Sequence, residues 1–173
     1  MRSRRARKTP RSRATSASRP RRGSAGVAGL WAPFHAALEH LLDRRRNARM
    51  PTALVTVHSF TPVYRGIARP WHVGILSTAE RRLAEGMLAE LRRDPALVVG
   101  DNQPYSSKDG VDYTIRRHGR DRGLPHVMIE VRNDLLRAAR DITGWAERLT
   151  EGLRASAIGI GPAFANSGTN VGT

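Results

Sequence analysis

Apolar positions along this chain switch between two spacings. Phe34, Ala37, Leu38, Leu41 and Leu42 recur every three or four residues, which predicts a helix ending in the basic run of residues 44–46, ahead of Pro51. Basic residues at a helix end are favoured by its dipole. Residues 53–57 form a β-branched run between that proline and Pro62, and read as a buried strand with His58 at its end. Residues 72–76 read as a second strand. Ser77 and Glu80 follow at capping-box spacing, and Leu83, Met87, Leu88 and Leu91 give the apolar face of a helix that stops at Asp94 and Pro95. Residues 97–99 and 126–131 read as third and fourth strands. Residues 142–153 read as a closing helix with Trp145 and Leu149 on one face. Strands alternating with helices predict an α/β fold, a mixed or mostly parallel sheet flanked by helices. Ligands of such sheets bind at the carboxyl ends of the strands, which directs attention to His58, the turn-rich stretch from Gly100 to Tyr105, and Glu130.

Charge divides the chain further. The 30 basic and 15 acidic residues give +15 overall, but ten of the basic residues lie between Arg2 and Arg22, where there is no acid. Residues 1–29 are therefore expected to be a disordered Arg/Ser-rich leader, because nothing apolar there repays the entropy of ordering. Its composition also resembles a transit peptide, and residues 1–22 suit nonspecific nucleic-acid contact through counterion release. Residues 30–153 form the expected domain, and residues 154–173, uncharged from Ala155 onward, a flexible tail. A length of 173 residues without cysteine suits one domain and excludes a disulfide framework, a thiol nucleophile and Cys-ligated metal. No apolar run approaches the ~18 residues of a membrane span, so a cytoplasmic protein without membrane contact is expected.

Candidate chemistry is polar and dispersed. His58 ends an apolar strand, where a neutral imidazole binds zinc or hydrogen-bonds a backbone carbonyl. Glu130 interrupts the apolar strand Val-Met-Ile-Glu-Val-Arg; a carboxylate there is costly to desolvate, so it is either paired with a cation, Arg132 being on the same face, or kept for proton transfer. Arg69 precedes Trp71 and either grips a carboxylate with two parallel hydrogen bonds or packs on the indole. Asp101, Asn102 and Tyr105 are turn formers or site residues. Asp112, Tyr113, Arg116, Arg117 and His118 lie on one helical turn or in a loop.

These residues carry a resemblance. His58-Ser59-Phe60-Thr61-Pro62, Arg69-Pro70-Trp71-His72-Val73-Gly74, Gly100-Asp101-Asn102-Gln103-Pro104-Tyr105-Ser106, Tyr113-Thr114-Ile115, Arg117-His118-Gly119, Gly123-Leu124-Pro125-His126 and Ile129-Glu130-Val131-Arg132-Asn133-Asp134-Leu135 occur in the order seen in the N-formylglutamate amidohydrolase family. The likeness runs from about Pro33 to Leu153 and resembles the C-terminal half of a family member. It implies a zinc-peptidase-like, phosphorylase/hydrolase-like fold, here N-terminally truncated. The implied activity is metal-dependent hydrolysis of N-formyl-L-glutamate, or of a related acidic N-acyl amino acid, to formate and glutamate in histidine degradation. By similarity to zinc carboxypeptidases, His58 is the third zinc ligand and Glu130, opening Glu-Val-Arg, the catalytic base. Arg69 or Arg132 would hold a substrate carboxylate, with Asn102, Tyr105 and His118 completing the substrate-binding set. In the family the other two ligands lie upstream, where residues 1–29 contain no His, Asp or Glu, so the expectation is an incomplete zinc site, with an inactive truncated chain as one outcome. Two other functions stand beside this one: a basic nucleic-acid-associated protein acting through the leader, and a binder of acyl amino acids without turnover.

Overall fold

The computed structural model of the chain describes residues 22–105 and 113–161. Residues 1–21 of the expected leader, Ser106, Asp112 and the tail from residue 162 lie outside the described residues. The chain divides into two compact units, residues 1–36 and 37–173. Helix α1 (Arg22–Asn47) crosses their boundary. In the first unit the rings of Trp31 and Phe34 meet that of His35 edge-on. The predicted helix is thus present but begins well inside the segment read as leader, because extending an existing helix costs far less than nucleating one. Its last turn is basic, as expected.

The second unit is built on a four-stranded mixed sheet of order β1-β6-β4-β5, comprising β1 (Leu54–Phe60), β4 (Val73–Leu76), β5 (Val99–Asp101) and β6 (His126–Arg132). The β1–β6 and β4–β5 pairs are parallel, and β6–β4 is antiparallel. Two short strands, β2 (Val63–Tyr64) and β3 (Ile67–Ala68), make a separate hairpin turned at Arg65 and Gly66, both with positive φ. Two such residues in succession give a turn whose twist matches the strands it joins.

Helices α2 (Arg82–Leu91) and α3 (Ala139–Ile160) cover one face of the sheet. Leu83, Met87, Leu88 and Leu91 are buried there against Val73, Ile75, Val127, Ile129 and Leu149, with Trp145 packed on the margin, as the apolar spacing requires. The opposite face carries a smaller cluster of Leu76, Ile115 and Met128 with Tyr105 against it. Ion pairs from Arg117 to Glu39 and from Arg122 to Asp43 tie the irregular segment after residue 113 to the C-terminal half of α1.

Three local expectations are corrected. Strand β1 does not end at His58 but runs on to Phe60, whose ring is buried and anchors the strand end. The Ser77–Glu80 capping box does not form: α2 begins at Arg82, whose backbone N–H Glu80 accepts, while Ser77 Oγ accepts a bond from the Arg81 guanidinium. Helix α3 continues to Ile160 through residues read as tail, since Ser156 is buried against Gly86 of α2 at a spacing that leaves no room for a β-carbon.

Candidate functional site

Glu130 is placed by the apolar run around it. Val127, Met128, Ile129 and Val131 are all buried, so β6 is held in the interior of the sheet and its one carboxylate is carried in with it, 5% exposed. Across the sheet, Glu130 stands in register with His58 on one side and with Gly74 on the other, and Gly74 in turn pairs with Gly100. Paired residues of neighbouring strands share a face. One row therefore reads His58, Glu130, Gly74, Gly100, with no side chain on the two strands beyond the carboxylate.

The glycines are required by what lies over them. A β-carbon on Gly74 would fall 1.9 Å from the backbone oxygen of Gln103, and one on Gly100 would come within 2.8 Å of Gln103 Cβ and 2.9 Å of Trp71 Cδ1. The loop after β5 thus folds back across the strands. Asn102 fixes it, with φ of +51°, its backbone N–H donating to Ile75 O at 2.9 Å and its Oδ1 accepting from Ser77 N at 3.0 Å. The Asn102 side chain is engaged in holding the loop.

The same loop delivers Tyr105, whose hydroxyl accepts a 3.2 Å hydrogen bond from Arg69 Nη1. The Arg69 guanidinium is enclosed by three rings, those of Tyr64 at 4.6 Å, Tyr105 at 4.9 Å and Phe60 at 5.9 Å. Only 9% of the residue is exposed, and among the described residues no carboxylate lies in ion-pair contact with it. A cation so placed keeps its ion-pairing capacity for a ligand.

Burial pushes the Glu130 carboxyl up from its ordinary 4.5 to about 7, and the positive charge of Arg69 only partly opposes that rise. Glu130 Oε2 is buried without a hydrogen-bond partner among the described residues. A carboxyl in this state changes protonation near neutral pH, which suits a general base that must also return its proton.

Glu130, Arg69 and Tyr105 are thus brought together, with His58 beside them on the neighbouring strand and exposed to solvent. The cation near Glu130 is Arg69 and not Arg132, which pairs with Asp134 at 2.8 Å and donates to the carbonyls of Pro70 and Trp71. His118 is wholly buried in a single π-helical turn, Ile115–Gly119, where it offers no surface to a ligand. His126, also buried, is satisfied by Thr78 Oγ1 and Leu124 O. Sequence spacing gave no hint of Phe60 and Tyr64 around Arg69. Tyr64 lies in a two-residue strand too short to show a period.

Zinc fits the described residues poorly. Among them no three His, Asp or Glu side chains converge as a metal site. His58 is one imidazole where a catalytic zinc needs about three protein ligands.

The sequence matches the family described as N-formylglutamate amidohydrolase over residues 4–137, a stretch that includes every residue of the cluster. The chain belongs to the N-formylglutamate amidohydrolase family. A crystal structure of a gene product from Agrobacterium tumefaciens is similar to it, with 38% sequence identity and a TM-score of 0.74 over 79% of this chain and 54% of that one. This amidohydrolase-family chain therefore spans about half the length of that protein. No curated protein matches it. No helix among the described residues is long and apolar enough to cross a membrane.

Proposed function

We propose that this chain carries the proton-transfer and carboxylate-anchoring part of a site that hydrolyses the amide of an N-acyl amino acid, N-formyl-L-glutamate in the first instance, giving formate and glutamate. The observation that carries the reading is the pairing of a buried carboxyl poised near neutrality, Glu130, with a ring-enclosed cation, Arg69, that has no carboxylate partner among the described residues. In this reading a substrate carboxylate sits on Arg69, held in orientation by the Tyr105 hydroxyl. The amide carbonyl then faces Glu130, beside the loop that packs over Gly74 and Gly100. Ionised Glu130 takes a proton from the attacking water and passes it to the leaving amine nitrogen as the C–N bond breaks. Loop residues 101–104 limit the water around the carboxyl, which keeps its proton affinity high.

His58 is the residue proposed here as a ligand for the zinc ion that the family resemblance implies; among the described residues no set of three converges to complete its site. The cytoplasm and histidine degradation are the setting proposed with the activity. Formate release from N-formyl-L-glutamate tests the assignment. Glu130→Gln should lower the rate by about 10²- to 10⁴-fold, the usual worth of a positioned base. Retention of the full rate by a folded Glu130→Gln protein would remove Glu130 from the chemistry.

A further inference from the structure

A cavity of about 450 Å³ opens in the second unit on residues that the Glu130 cluster does not use. It lies between the C-terminal end of α1, the link from α1 to β1, and the segment leading into β6. Its volume is within the range of small-molecule pockets. Leu42, Met50, Pro51 and Leu124 give it an apolar lining, with Leu42 itself only 5% exposed. The link that forms one wall is fixed by the helix end. Arg49 takes φ of +53° and closes α1, its N–H donating to Arg46 O at 2.9 Å and that of Met50 to Arg45 O at 2.9 Å. The Arg45 guanidinium donates to Thr52 Oγ1 and to Pro51 O, both at 2.9 Å, and Thr52 Oγ1 donates to Met50 O. A wall held in this way need not be ordered when a ligand enters.

Three arginines, Arg46, Arg49 and Arg122, also line the cavity. Arg46 and Arg122 share one carboxylate, Asp43, at 3.2 and 2.6 Å, and among the described residues no carboxylate lies in ion-pair contact with Arg49. Three cations therefore face one acid, which favours an anionic ligand head. The rest of the lining says what the head is attached to. No aromatic ring is among these residues to stack a base, and the hydroxyl of Thr52, their one neutral polar side chain, is already engaged as donor and acceptor. We propose that this cavity binds a medium-chain fatty carboxylate, with the aliphatic chain against Leu42, Met50, Pro51 and Leu124 and the carboxylate on Arg49 and Arg46. The site is separate from the Arg69 anchor and does not depend on the role given to it.

Isothermal titration calorimetry of the whole chain at pH 7 with octanoate, butanoate, 1-octanol and inorganic phosphate tests this. Four added carbons, partly buried, should make octanoate bind about tenfold or more tightly than butanoate. The charged head should favour octanoate over octanol by about fivefold or more. Arg49→Asn, which suits the left-handed backbone, should remove that advantage and leave octanol unchanged. Met50→Ser, a change at a half-exposed position, should weaken both by about threefold. Absence of octanoate binding, equal affinity for butanoate, phosphate bound as tightly as octanoate, or an Arg49→Asn protein with unchanged octanoate affinity would each overturn the proposal. Displacement of octanoate by N-formyl-L-glutamate would place its carboxylate on Arg69 instead, and would overturn it as well.

Discussion

Replacing Glu130 with glutamine should stabilise the fold at alkaline pH while removing its proposed chemistry. In the unfolded chain the carboxyl titrates near its ordinary 4.5; in the folded protein burial raises this to about 7. Between those values the folded state keeps a proton that the unfolded state has released, so stability falls as pH rises from about 4.5 through about 7 and levels off above it. At about 1.4 kcal/mol for each pH unit, the full effect is about 3 kcal/mol, of which about 2 to 3 kcal/mol develops between pH 5 and pH 8. Glutamine keeps the shape and cannot ionise. Urea unfolding of both proteins at pH 5, 6, 7 and 8 measures the difference directly, since every other titrating group is common to the two. The stability gap should open in favour of Glu130→Gln by that amount as pH rises. A gap that stays constant across the series, or a variant that loses ground at pH 8, would refute the claim that burial of this carboxyl is opposed by ionisation.

Two further substitutions probe the scaffold. Gly74→Ala places a methyl group 1.9 Å from a backbone oxygen that cannot rotate away, so the loop after β5 must lift; a loss of at least about 3 kcal/mol in urea unfolding, at the upper end for overpacking, is expected, together with a fall in the Glu130 pKa as water reaches it. Met87→Ala empties a fully buried position between α2 and α3, where Gly152 gives the thioether its room, and should cost about 2 to 5 kcal/mol without altering ligand affinity at Arg69.

Much of the fold is written locally. The spacing of Leu83, Met87, Leu88 and Leu91 marks the buried face of α2, and the run around Glu130 marks the interior strand, because burial of one stripe or one strand leaves its period in the sequence. The pairing order was not legible, since β1 and β6 lie side by side although about 70 residues separate them. Charges in the leader and at the end of α1 were visible, yet the extent of α1 and α3 was underestimated. Ala-, Gly- and Ser-rich ends carry no amphipathic signal, and Ser156 is buried by its smallness, not by its polarity. In the site, Glu130 was conspicuous as a charge inside an apolar run. The cation that sequence proximity offers it is Arg132, one of two readings left open there, whereas the sheet and the 60–69 segment bring Arg69 to it instead. Gly74 lies inside the run read as the second strand and Gly100 in the turn-rich stretch, and only the sheet register shows that the two stand side by side. Tyr64 could be placed around Arg69 only once the hairpin had been built.

The functional reading stands on Glu130 being a buried carboxyl that exchanges its proton near neutral pH beside Arg69. Titration of the glutamate side-chain carboxyl carbons by ¹³C NMR, with Glu130→Gln identifying the resonance, measures this directly. The account predicts a midpoint near 7, moving higher when N-formyl-L-glutamate places its carboxylate on Arg69 and takes away the charge that favours ionisation. A midpoint at or below 4.5, unmoved by the ligand, would contradict it.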